Sequence, residues 1–176
     1  WDSHHCLNAV RREGEMAPVM ERVLNNARGR GVTIIHAPSS CMDAYKTHPA
    51  RKHATDVPPA KTLPKEIGTW CYKIPSEERG TYPIDQTDGG EDDDLEEHKA
   101  WAAKLTAMGR NPKAPWKSQI DVLTIKDHDY ISDSGEEIWS ILEQKGIKNV
   151  ILMGVHANMC VLGRPFGLRQ MAKNGK

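Results

Sequence analysis

The sequence has no excess charge of either sign: lysine and arginine together number 24, and so do aspartate and glutamate. A polyanion such as nucleic acid therefore meets no basic surface, and no acidic tail is present to solvate a segment. No apolar run approaches the roughly 18 residues that span a bilayer, and no secretory signal opens the chain. The reading is a soluble chain with no membrane and no nucleic acid among its partners, and a small molecule as the expected one. The chain opens on Trp1 and closes on "AKNGK", where a strand would follow a helix, so truncation at both ends is expected and localisation stays open.

The cysteines number four, at positions 6, 41, 71 and 160, and none forms a C-x-x-C pair. That excludes a zinc ribbon and a thioredoxin-type redox motif. A length of 176 residues also makes a disulfide framework unnecessary, since one domain of this size buries a sizeable core. A cysteine phosphatase is disfavoured too: its arginine would stand where Phe166 does, and Arg164 comes too early.

What is present is the rhythm of an α/β protein. Met16, Met20, Val23, Leu24 and Ala27 recur at helical spacing, and "RGRG" then ends the helix. "VTIIHAP" reads as a short buried strand, "IDVLTI" (120–125) as a second, and "KNVILMGV" as a strand buried on both faces. Between the last two, Ser134 and Glu137 form a capping box for a helix that Gly146 stops. The expected architecture is one domain over 1–176, a three-layer αβα arrangement with a parallel sheet flanked by helices. A Pro-, Gly- and charge-rich insertion runs from about 39 to 119, with one helix expected in 91–108. Its aromatics Trp70, Tyr72, Tyr82 and Trp116 either wall a pocket or pack the insertion down.

Parallel sheets present ligands at the carboxyl ends of their strands. His36, Lys126 and Cys160 all follow expected strands. A thiolate near the start of a helix is a good nucleophile, because unpaired N–H groups lower the thiol pKa. A buried cysteine packed as a small hydrophobe is the alternative. "DGGEDDD" is dense in oxygen but lacks the EF-hand pattern, so a solvated acidic loop is the reading. His4, His5, Cys6 and His36 fit no standard metal spacing, and no metal or other cofactor is expected. Arg164 and Arg169 suit either a substrate carboxylate or acids at a subunit interface.

"KNVILMGVHANMCVL" resembles the nucleophile segment of the isochorismatase-like cysteine hydrolases, the superfamily of the nicotinamidases, and "IIHAPSSCMDAY" and "DYISDSGEEIW" resemble one subgroup of it. The resemblance implies an Asp, Lys and Cys catalytic set, a covalent intermediate on Cys160, and hydrolysis of a C–N bond, most plausibly a small amide. It implies a cis peptide from Val155 to His156, which turns the backbone amides of His156 and Cys160 toward an oxyanion. Lys126 is the implied cation. The implied Asp falls just upstream of Trp1, so Asp2 serves only in a shifted register. Pro38 and Ser40 stand where the nicotinamidases have metal ligands. His36, His4, Asn158, Arg164 and Trp116 are the expected substrate contacts, and a homo-oligomer is implied. Two alternatives stay open: ether hydrolysis of the isochorismate type, and a catalytically silent binding or assembly protein on the same fold.

Overall fold

The computed structural model describes residues 1–80 and 94–176. The expected acidic loop, except Asp94, and Tyr82 lie outside the described residues. The chain divides into two compact units, 1–32 with 81–124 and 33–80 with 125–176. The structure is mixed helix and sheet, and mostly helical.

In the first unit, helix α1 (Leu7–Gly29) carries the expected apolar positions and extends beyond them toward the N-terminus. Arg30 and Gly31 close it by donating to Ala27 O and Arg28 O, and Gly31 takes φ +78°, a conformation glycine adopts without a Cβ penalty. Arg11 on α1 makes a two-pronged pair with Glu97 at 3.1 and 3.0 Å. Glu97 sits on a later helix, Leu95–Ala107, the one expected within 91–108. The Asp94 carboxylate caps that helix, accepting from the N–H groups of Glu96 and Glu97.

"IDVLTI" is not a strand. Leu123 N–H bonds to Ile120 O in a turn, Glu21 accepts from Thr124 N–H at 2.9 Å, and Arg28 donates to Thr124 O. Side chains of α1 thus occupy backbone groups that a sheet ladder would need.

The second unit holds the sheet, two parallel strands, β1 (Ile35–His36) and β2 (Tyr130–Ile131). Backbone bonds from Tyr130 N–H to Ile34 O and from Ser132 N–H to His36 O, both 3.0 Å, extend the pairing. β1 lies inside the expected "VTIIHAP" strand, whereas the pattern of the sequence did not point to β2. The insertion carries helical pieces of its own: a 3₁₀ turn (Met42–Tyr45), α2 (Pro49–Thr55) and α3 (Pro75–Glu78). The Leu95–Ala107 helix is α4.

Helix α5 (Gly135–Gln144) is capped by Ser134, whose hydroxyl accepts from Glu137 N–H at 3.3 Å, and ends at Gly146 with φ +64°. The other half of the expected capping box is put to different use. The Glu137 carboxylate pairs with Arg51 of α2 at 2.6 and 3.0 Å and accepts from Ser132 Oγ at 2.5 Å. Its apolar stripe, Ile138, Trp139 and Leu142, packs with Ile67, Phe166 and Met171 into the main core of the unit. Each fully buried aliphatic side chain of this kind contributes about 1.5–3 kcal/mol. Ile141, Tyr130 and Ala54 form a second cluster across α5, β2 and α2. "KNVILMGV" reaches this core only through partly buried Val150 and makes no strand. The last helix, α6 (Leu168–Lys173), follows the Gly- and Arg-rich stretch after Cys160.

Candidate functional site

Cys160 lies in a single π turn, Ala157–Val161, closed by Val161 N–H donating to His156 O at 3.2 Å. Such wide turns are rare and recur at functional sites. The expected cis link is not there: no cis peptide bond occurs among the described residues, and the chain instead reverses at His156, which takes φ 58° and ψ 65°. Histidine is among the few non-glycine side chains that enter this left-handed region with any frequency. One residue with positive φ thus makes the turn that a cis bond was expected to make.

The half-buried sulfur of Cys160 is hydrogen-bonded to the side chain of Ser39 and feels the charge of Arg164. Burial is the largest influence and pushes the thiol above its ordinary value, while Arg164 and Ser39 pull it down. The surroundings therefore work against the expected thiolate. The reason is desolvation of the anion, which outweighs the neighbouring donors.

Arg164 is the principal cation of the site. It is 5% exposed, donates to Ala37 O at 2.6 Å, and its guanidinium carbon lies 4.4 Å from the Phe166 ring and 5.7 Å from that of Trp70. Burial holds the guanidinium below its ordinary pKa, against the opposing pull of Cys160 and Asp133. Ala37 and Ser39 follow β1, and Asp133 follows β2, so a hydroxyl, a carboxylate and the cation gather beyond the carboxyl ends of two parallel strands. That is where such sheets present ligands.

Close backbone packing holds this corner in shape. Cys71 N–H donates to Gly163 O at 2.7 Å, and a Cβ on Gly163 would overlap the backbone N and Cα of Tyr72. Only glycine lets the 70–72 segment lie against the turn after Cys160. Arg169 fixes the same segment by donating to Cys71 O at 2.6 Å and by pairing with Glu77. It thus has a structural job in place of the substrate contact considered for it. Beside it a cavity of about 430 Å³ is lined in part by Trp70, Cys71, Ile74, Arg169 and Gln170, but not by Cys160.

The remaining expected residues divide between the units. His36 is buried in β1 itself, with Nε2 3.1 Å from Asp129 Oδ2. Asp129 also accepts from Lys126 N–H at 2.8 Å. Lys126 therefore contributes its backbone to a turn while its side chain is exposed, and the charge felt by the thiol is that of Arg164. Asn158 is exposed.

Asp2, His4 and Trp116 belong to the first unit. Asp2 pairs with Arg110 at 2.8 Å and accepts from the N–H groups of Lys117 and Ser118. Partial burial raises its pKa, but these donors together hold the carboxyl below the ordinary range. It is a structural anion and a poor proton acceptor. His4 Nδ1 accepts from Cys6 N–H at 2.9 Å, and Trp116 stacks on Trp1 with ring centroids 4.2 Å apart.

Ser39 is hydrogen-bonded to Cys160, while Asp133 and Trp70 act on Arg164. Trp70 stood among the aromatics of the insertion, Ser39 followed the expected "VTIIHAP" strand, and Asp133 lay after a strand the sequence pattern did not show. No helix among the described residues is long and apolar enough to cross a membrane. No protein-family model, curated protein or solved structure matches the chain.

Proposed function

We propose that the chain is a cysteine hydrolase acting on a C–N bond of a small molecule, with Cys160 as the nucleophile and with the three-layer isochorismatase-like architecture as its parent fold. The observation that carries the reading is the pairing of Cys160 with a hydroxyl and a buried guanidinium beyond the ends of two parallel strands. In the reaction the sulfur bonds to the amide carbon, the C–N bond breaks, and the thiol proton leaves on the departing nitrogen. Ser39, hydrogen-bonded to the sulfur, is the group to pass that proton. Water then cleaves the thioester, releasing a carboxylic acid and restoring the thiol. Arg164 stabilises the anionic sulfur, and the backbone amides of His156 and Cys160 are the proposed oxyanion donors. Lys126 remains a cation for substrate, as do Asn158 and His36 polar contacts, and Asp2 is no longer needed as a base.

A second reading is favoured by the raised thiol pKa and by the engagement of Asp2 with Arg110: a catalytically silent binding protein on the same fold. Hydrolysis of a panel of small amides, followed by release of ammonia or amine, separates the two. The hydrolase reading expects turnover that disappears in Cys160→Ala. Equal rates in the two proteins, or none in either, favour the silent scaffold.

A further inference from the structure

Asp129 directly precedes β2, is 2% exposed, and lies in a turn held from several sides. Its N–H donates to Lys126 O at 2.9 Å, its carboxylate accepts from Lys126 N–H at 2.8 Å, and its carbonyl accepts from His53 Nδ1 of α2 at 3.1 Å. The His53 ring in turn stacks on Tyr130, with centroids 4.0 Å apart. A residue tied down in this way is an anchor. What it anchors is β1, because Oδ2, the oxygen that accepts from Lys126, also lies 3.1 Å from Nε2 of His36, itself 4% exposed.

A strand of two residues has few ladder bonds to set its register. The buried contact between His36 and Asp129 adds a side-chain lock to the ladder bond from Ser132 N–H to His36 O. The residues that follow in the chain carry the site: Ala37 O accepts from Arg164 at 2.6 Å, and the Ser39 side chain is hydrogen-bonded to the sulfur of Cys160. We propose that Asp129 is a positioning residue for Cys160: through His36 it fixes the end of β1, and so holds Ala37 O and the Ser39 hydroxyl where Arg164 and the sulfur meet them. Catalytic groups depend on such support, because a small misplacement costs much of the rate. The inference rests on Cys160 as the reactive group of the proposed hydrolase, and it is separate from the substrate contact given to His36.

Alkylation of Cys160 by iodoacetamide in the full chain reads the placement of Ser39 and Arg164 without an amide substrate, so the result stands whether or not the chain hydrolyses amides. Asp129→Leu removes both contacts of Oδ2 at similar volume. It should slow Cys160 alkylation at neutral pH by about three- to tenfold, the change that half a pKa unit to one unit makes, with Cys71 unaffected. Asp129→Asn keeps an accepting oxygen and should return most of the rate. Because part of the effect runs through Ser39, Asp129→Leu should slow Ser39→Ala by a smaller factor than it slows the wild type. Ile138→Val, a loss of core volume in the same unit, should destabilise the chain yet leave the pH profile of Cys160 alkylation in place, which separates positioning from stability. Should Asp129→Leu not fold, His36→Leu, which leaves Lys126 N–H its acceptor, gives the same reading. A wild-type or faster Cys160 rate in the folded Leu variant, equal slowing of Cys71, no recovery in Asp129→Asn, factors that multiply independently with Ser39→Ala, or the same shift in Ile138→Val would each overturn the proposal.

Discussion

Replacing Arg164 by methionine removes the cation of the site while keeping much of its apolar volume, and both consequences follow from the contacts. The Ala37 carbonyl loses a 2.6 Å bond from a charged donor, worth about 1.5–3 kcal/mol. The Phe166 and Trp70 rings lose a cation at 4.4 and 5.7 Å, worth about 0.5–2 kcal/mol each. Against this, the folded state no longer desolvates a guanidinium, which returns several kcal/mol at a buried site. The lost contacts, about 2.5–7 kcal/mol together, outweigh that return, so the variant is destabilised, read as a shift of the urea midpoint at constant slope. The thiol should respond as well. Arg164 is the charge that pulls Cys160 downward, so its loss moves the thiol further up and slows alkylation by iodoacetamide at neutral pH, by tenfold for each pKa unit. Arg164→Lys should restore part of the alkylation rate, by keeping the charge, but little of the stability, because an ammonium stacks poorly and lacks the planar fork. The reasoning is refuted if Arg164→Met leaves stability within about 0.5 kcal/mol of wild type, or if the alkylation profile stays put or moves to lower pH.

Ser39→Ala should slow Cys160 alkylation without changing that of Cys71, read by peptide mass spectrometry, since Ser39 pulls the Cys160 thiol down whereas Cys71 is pulled down by Arg169 and Lys173. Gly163→Ala should cost about 3 kcal/mol or more, because the new methyl meets Tyr72 backbone rather than a flexible side chain; a stability change near zero would show that the 70–72 segment is not held against the turn. The Glu137 carboxyl is held below its ordinary pKa by Arg51 first, with Ser132 assisting against burial. A depressed carboxyl contributes stability that is fully present above its unfolded value and is lost as pH falls through the folded one. Melting temperature should therefore fall more steeply in wild type than in Glu137→Gln as the solution is acidified below about pH 4.5, and parallel curves would contradict the pairing.

Local signals were legible where one residue type does one local job. Ser134 caps α5, Gly146 ends it, and the apolar spacing of α1 marks a helix, because each depends on neighbours within a turn or two. The strands were less legible. "IDVLTI" has the composition of a strand, but Glu21 and Arg28, distant in sequence, take the backbone of Thr124. "KNVILMGV" has the strongest strand composition of all and no described backbone partner. β2 is only Tyr130–Ile131, too short for a periodic pattern.

The candidate site followed the same division. Cys160 stood out from its local context, and Arg164 was noted for its charge. Their link through Ala37 and Ser39 crosses more than a hundred residues of chain and depends on two strands lying parallel. The roles expected of Lys126 and Asp2 rested on resemblance alone; an exposed side chain and an engaged carboxylate, respectively, are what the fold makes of them.

The claim on which the functional reading stands is that Cys160 attacks an acyl carbon. Quenching the full chain with acid during reaction with an activated small amide, then mapping peptides by mass spectrometry, tests it directly. Cys71, a partly exposed thiol whose pKa burial also raises, is the internal control. The account predicts a hydroxylamine-labile acyl mass on Cys160 and none on Cys71. Equal acylation of both, or a trapped acyl group on any residue but Cys160, contradicts it.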